Sequence, residues 1–72
     1  MTDQMTGREW VAAFATSIGV EAPDEATIEA LLDLAGVAAH ASERIAAPIA
    51  CYLVGRAGLE VGAAKAAAEA VG

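Results

Sequence analysis

The stretch His40–Gly55, HASERIAAPIACYLVG, contains the proline on which the predicted order of helices depends. The residue before a proline is pushed away from helical dihedrals, so a helix that precedes Pro48 should stop by about Ala46. Pro48 itself suits the first turn of a following helix, where its missing N–H has no helical partner to lose. We therefore expect Pro48 to separate a second helix from a third.

Before this stretch, the sequence predicts a first helix with clear ends. Thr6 and Glu9 have the T-x-x-E spacing of a capping box, and Gly19 suits the residue just beyond a helix. Trp10 and Phe14 recur at helical spacing between these ends. Because they are the bulkiest side chains nearby, we expect them to be the main anchors of the core.

A second helix is predicted to begin at Pro23–Glu25, either with Asp24 as its N-cap or with Pro23 in its first turn. Its apolar face is wide enough to pack against more than one neighbour, so it should be the central helix. The residues of that face are Ile28, Leu31, Leu32, Leu34, Ala35 and Ala38.

Helical propensity also predicts a fourth helix over Leu59–Val71, although Gly62 weakens it. No stretch alternates between apolar and polar residues as a strand would, and no hairpin dipeptide such as Asn-Gly occurs. The sequence thus predicts one all-α domain over residues 1–72, a compact three- to four-helix bundle. Residues 1–5 are predicted to be a frayed leader.

Length and composition limit what such a domain can bury. A chain of 72 residues forms only a small core, and 57% of its residues are hydrophobic, many of them alanine. An apolar surface patch should therefore stay uncovered, as at many association sites. Cys51 is the only cysteine, so no disulfide forms within the chain. A lone thiol suits a reducing compartment, and the expected location is the cytoplasm.

The net charge of −6 makes nucleic acid and anionic lipid unsuitable partners. No membrane span is expected, because the longest apolar run, Ile45–Val54, is about half of the ~20 residues that a spanning helix needs. The first ten residues also lack the basic and apolar regions of a signal peptide.

The candidate residues for a functional or docking surface cluster at the predicted junction of the second and third helices, which we call the corner. They are His40, Ser42, Glu43, Arg44 and Pro48. The simplest interpretation is structural. His40, Glu43 and Arg44 would lie in the last turns of the second helix, where i, i+3 and i, i+4 neighbours touch and Arg44 reaches an acid elsewhere. Ser42 would cap or bond locally.

Two chemical interpretations of the same cluster stay open. His40 and Arg44 could bind a phosphate or carboxylate in front of the third helix, although Pro48 offers no N–H and no glycine-rich loop is present. Alternatively, a stripe of Glu29, Asp33, His40 and Glu43 could hold a metal if a second helix or copy supplied further ligands.

Catalysis by the chain alone is not expected. Cys51 lies among apolar neighbours, eleven residues from the only histidine, and Ser42 has no nucleophile-elbow context. We therefore predict no catalytic residue, no metal and no cofactor, and a non-enzymatic protein.

Four segments resemble one small uncharacterised family of helical domains from bacteria with GC-rich genomes. They are WVAAFA (Trp10–Ala15), PDE (Pro23–Glu25), LLDLA (Leu31–Ala35) and AHASERIAAP (Ala39–Pro48). This family is found alone, fused to molybdenum-cofactor guanylyltransferases, or near genes for formate dehydrogenase maturation. Its members often carry proline after the arginine, where this chain has Ile45.

The resemblance implies an accessory role in the biosynthesis or insertion of molybdopterin guanine dinucleotide. The leading hypothesis is an interaction module that docks onto a larger protein of that assembly or associates with itself. The alternatives are a small binding protein for a phosphorylated cofactor or other anion at the corner, and a structural subunit of a larger oxidoreductase.

Overall fold

In the computed structural model, which describes residues 5–72, the chain forms four α-helices. They are α1 (Gly7–Ser17), α2 (Glu25–Ala41), α3 (Ala46–Ala57) and α4 (Val61–Val71). No strand occurs within residues 5–72, so the predicted all-α bundle is confirmed and the fourth helix is formed. The predicted leader falls outside the described residues except for Met5, which is exposed and precedes α1.

Both ends of α1 lie where the sequence predicts them. The Thr6 hydroxyl accepts the Glu9 N–H at 3.1 Å, and a Glu9 carboxylate oxygen accepts the Thr6 N–H at 2.9 Å. This reciprocal capping box satisfies two N–H groups that the helix leaves without partners. Beyond the helix, Gly19 has φ +80°, a left-handed conformation that glycine adopts without a Cβ clash.

Helix α2 begins as predicted but ends early. An Asp24 carboxylate oxygen accepts the Thr27 N–H at 2.8 Å, so Asp24 is the N-cap. The helix ends at Ala41 because Ser42 has φ −138° and ψ −101°, outside the helical region. Pro48 does lie in the first turn of α3, but Ala47 before it is already helical. The backbone of Ser42 breaks the helix, and the proline does not.

Helix α2 is the central helix, as predicted, because α3 and α4 both pack against it. Helix α1 is attached to its N-terminal end. There Arg8 Nη2 lies 2.7 Å from a Glu25 carboxylate oxygen and 2.9 Å from a Glu29 carboxylate oxygen. The principal extents are 43 × 24 × 19 Å, and the radius of gyration is 13.3 Å.

The fully buried core is small, and the expectation that aromatic anchors fill it is wrong. Among residues 5–72, the buried hydrophobic residues are Leu34, Ala15 and Ala64, of which only Leu34 is large. Trp10 is 56% exposed and Phe14 is 48% exposed. The side of α1 that is buried carries Ala15, so the aromatic rings remain on its open side and stack on each other.

Acid should weaken the two contacts at the start of α2. The hydrogen bond from Thr27 lowers the pKa of Asp24, and the hydrogen bond from Arg8 lowers the pKa of Glu25. A carboxyl whose pKa is lower in the folded state stabilises the fold above its unfolded pKa, and that stabilisation is lost as the pH falls through the folded pKa. We therefore expect the midpoint temperature of unfolding, measured by circular dichroism, to decrease as the pH is lowered below about 4.

The double variant Asp24→Asn, Glu25→Gln tests this assignment. Asparagine still accepts the N-cap hydrogen bond, and glutamine keeps the shape of glutamate, but neither side chain titrates. The decline of the midpoint below about pH 4 should be shallower in the double variant than in the original protein. Equal slopes in the two proteins would assign the acid sensitivity to other carboxyls.

Candidate interaction surface

The five candidate residues at the corner lie in three different backbone settings. His40 is exposed in the last turn of α2, and Ser42 caps that helix with its N–H donating to the Ala38 carbonyl at 3.2 Å. Glu43 and Arg44 are exposed in the connection that follows, and Pro48 is exposed within α3. The candidates are therefore neighbours along the chain rather than along one helix.

This placement corrects the interpretation of a polar cluster on the last turns of the second helix. Glu43 and Arg44 lie beyond the end of α2, so the helical i, i+3 and i, i+4 geometry with His40 does not apply. Within the described part of the chain, the only ion pairs are those of Arg8 with Glu25 and Glu29. The guanidinium of Arg44 therefore forms no ion pair with an Asp or Glu side chain among residues 5–72.

The start of α3 is poorly suited to an anion. The Ala46 N–H donates to the Glu43 carbonyl at 2.9 Å, and the Ala47 N–H donates to the Arg44 carbonyl at 3.2 Å. Pro48, the next residue, has no N–H. Because an anion at a helix N-terminus is bound by free first-turn amides, the geometry here supports no such site.

The polar stripe of α2 does not gather metal ligands. Glu29 contacts Arg8 at the first turns of α1 and α2, while His40 lies at the opposite end of the helix. From Met5 to Gly72, no three His, Cys, Asp or Glu side chains are grouped closely enough to hold a metal ion. Cys51 is a half-buried free thiol in α3.

An apolar groove of about 310 Å³ lies beside the corner, and Ser42 is one of its lining residues. Alanine side chains of α2, α3 and α4 form much of its lining, and larger aliphatic side chains of α3 and α4 stand beside them. We call it the α3 groove; its lining includes Ala38, Ser42, Ala50, Ile49, Leu53 and Val71. Ile49 and Leu53 are 58% and 56% exposed, so the groove is open to a partner.

Two exposed arginines lie close along the chain to residues that line the α3 groove. Ser42, which lines it, begins the connection that carries Arg44. Arg56 is exposed on α3, three residues beyond Leu53 and seven beyond Ile49, a spacing that places the three on one side of the helix. Positive charge is therefore available near the groove, although the chain as a whole is acidic.

A second apolar surface lies on α1, at the other end of the molecule. We call it the α1 face; it comprises Trp10, Phe14 and Ile18. Their exposed fractions are 56%, 48% and 57%, and the rings of Trp10 and Phe14 stack with centroids 5.1 Å apart. The uncovered apolar patch predicted from composition is therefore confirmed, as two separate surfaces.

The fold and its surfaces define a small all-α domain that presents open apolar surface, with no group of metal-ligating side chains within the described residues. The chain belongs to the family described as Domain of unknown function (DUF6457), whose profile matches residues 2–72. Searches of curated proteins and of solved structures gave no match. Among residues 5–72, no helix has the length and apolar character needed to cross a membrane.

Proposed function

We propose that this domain is a non-enzymatic interaction module that binds a larger protein through the α3 groove. The observation that carries the proposal is the groove itself, where Ile49 and Leu53 stand more than half exposed beside a lining of small side chains. Exposed apolar patches on the surface of a protein often mark the sites where other proteins bind. An amphipathic helix of the partner fits such a groove.

The charge around the groove defines the chemistry of the partner. Arg44 and Arg56 would meet carboxylates at the rim of a bound segment, where opposite charges steer association and fix its orientation. We therefore propose a partner segment with apolar residues on one face and acidic residues beside them.

The resemblance of Ala39–Pro48 to the family found with molybdenum-cofactor guanylyltransferases supports the choice of partner. We propose that the module accompanies the biosynthesis or insertion of molybdopterin guanine dinucleotide in the cytoplasm. In this proposal Arg44 and Ser42 belong to the docking surface, and the rest of the corner cluster, His40, Glu43 and Pro48, flanks it.

The test is isothermal titration calorimetry, in which the full chain is titrated into a purified molybdenum-cofactor guanylyltransferase. We expect binding that Ile49→Lys weakens at least tenfold, about 1.4 kcal/mol, because a charge would enter the apolar groove. Arg44→Ala should weaken binding less and reduce its dependence on salt, since Arg44 contributes at the rim.

Ile18→Lys is the matched control for Ile49→Lys. Ile18 is 57% exposed and Ile49 is 58% exposed, and the two substitutions make the same chemical change on different surfaces. Ile18→Lys should bind the enzyme as the unsubstituted chain does. The proposal is wrong if the unsubstituted chain does not bind at about 100 μM, or if the two variants bind equally well.

A further inference from the structure

Among residues 5–72, the α1 face has no intramolecular partner, although its side chains are large and hydrophobic. Helix α1 contacts the rest of the bundle through Arg8 and through a crevice of about 210 Å³ in which Val11 lies near Ile28 and Leu32. The rings of Trp10 and Phe14 stack on each other with their planes inclined by 21°, and both side chains are about half exposed. Exposed aromatic side chains contribute strongly to association when a partner covers them.

The charge pattern of α1 indicates which partner can cover this face. Residues 10–20, WVAAFATSIGV, contain no charged residue, although the whole chain carries a net charge of −6. Two copies that meet through this segment therefore bring no like charges into contact.

The surface area of the chain is also larger than that of a compact monomer. The chain exposes 5360 Å², whereas a compact monomer of its mass exposes about 4,100 Å². Subtracting roughly 700 Å², the most that four residues could expose, leaves an excess of roughly 560 Å². A standard interface buries about 800 Å² on each partner.

We propose that a second copy of this chain covers the α1 face, forming a two-fold symmetric dimer in which Trp10, Phe14 and Ile18 of each protomer pack against those of the other. Closed two-fold symmetry is the commonest arrangement of identical subunits, and it pairs the same patch on both. The three side chains with the edge residues Val11 and Leu32 expose on the order of 600 Å² per copy, so the dimer lies near the lower limit of stable interfaces.

The test is sedimentation equilibrium of the full chain between about 10 μM and about 1 mM, a range in which weak self-association is measurable. We expect the mass to rise from 7.2 kDa towards twice that value. Trp10 is the only tryptophan, so its emission should shift to shorter wavelength, and its quenching by acrylamide should decrease, over the same concentrations.

Two variants assign the dimer to the α1 face. Ile18→Lys places two ammonium groups in the interface but sits at the C-terminal end of α1, where the helix dipole favours a cation, so the fold should persist by circular dichroism. We expect this variant to stay at 7.2 kDa with freely quenched Trp10. Ile49→Lys, on the α3 groove, should dimerise as the unsubstituted chain does.

Three outcomes would overturn the proposal: a monomeric unsubstituted chain at about 1 mM, unchanged dimerisation of Ile18→Lys, or loss of dimerisation in Ile49→Lys. Quenching of Trp10 in the unsubstituted chain gives an answer that depends on no substitution. Because dimerisation is measured without the enzyme, and Ile18→Lys retains the α3 groove, failure here is distinguishable from failure of the proposed docking function.

Discussion

Leu34→Ala is expected to lower the free energy of unfolding by about 2–5 kcal/mol, most of the stability that a domain of this size has. Leu34 is 1% exposed and is the only large side chain that is fully buried in the described range. It lies on the central helix, against which α3 and α4 pack, so the cavity left by alanine would open at the centre of the bundle. Urea unfolding followed by far-ultraviolet circular dichroism measures the change.

Leu32→Ala is the matched control on the same helix. Leu32 is 56% exposed, so its truncation removes little buried area and should change the free energy of unfolding by less than about 1 kcal/mol. The two variants make the same chemical change two residues apart. Equal losses of stability would mean that Leu34 is not the centre of the core.

The helix boundaries that could be predicted from sequence are those set by local hydrogen bonds. The capping box of Thr6 and Glu9, the N-cap at Asp24 and the left-handed Gly19 each depend on atoms within a few residues of one another. Such contacts form whatever the rest of the fold does, so the sequence contains the information needed to place them.

The end of α2 could not be placed in this way. The helix stops at Ser42, in a stretch that has neither glycine nor proline, and Pro48 is accommodated within the first turn of α3. A proline in the first turn costs no helical hydrogen bond, and Ala47 is helical in spite of the local restriction that proline places on the residue before it. As a result, Glu43 and Arg44 lie in the connection between α2 and α3, whereas they were expected on the surface of the second helix.

The positions of Trp10 and Phe14 show what periodicity leaves undetermined. Their spacing correctly predicts one face of α1, but whether that face meets the core or solvent depends on where α1 packs. Because α1 packs through Arg8 and the side that carries Ala15, the aromatic side stays open. Hydrophobic patterning therefore identified a surface that the rest of residues 5–72 leaves exposed.

The α3 groove was not predicted, for a related reason. It exists because small residues of three helices, such as Ala38, Ala50 and Ala68, come together and leave space between the larger side chains of α3 and α4. Alanine content predicts close helix packing and uncovered apolar area in general. The particular alanines that line a groove follow only from the crossing of the helices.

Ala64→Leu should destabilise the protein by about 1–3 kcal/mol, the opposite of what its added hydrophobic surface would suggest. Ala64 is 4% exposed on α4, the helix that packs against α2, so three further carbons have no space to occupy. Alanine and leucine have similar helix propensities, and the loss would therefore come from packing between helices rather than from α4 itself. Urea unfolding measures the change.

Ala66→Leu separates overpacking from any general effect of leucine on α4. Ala66 is exposed on the same helix, so this substitution should change the free energy of unfolding by no more than about 0.5 kcal/mol. Because Val71 and Ala68 of α4 line the α3 groove, displacement of α4 by Ala64→Leu should also weaken partner binding, whereas Ala66→Leu should not. A chain stabilised by Ala64→Leu would instead show that α2 and α4 leave a space between them large enough for a leucine side chain.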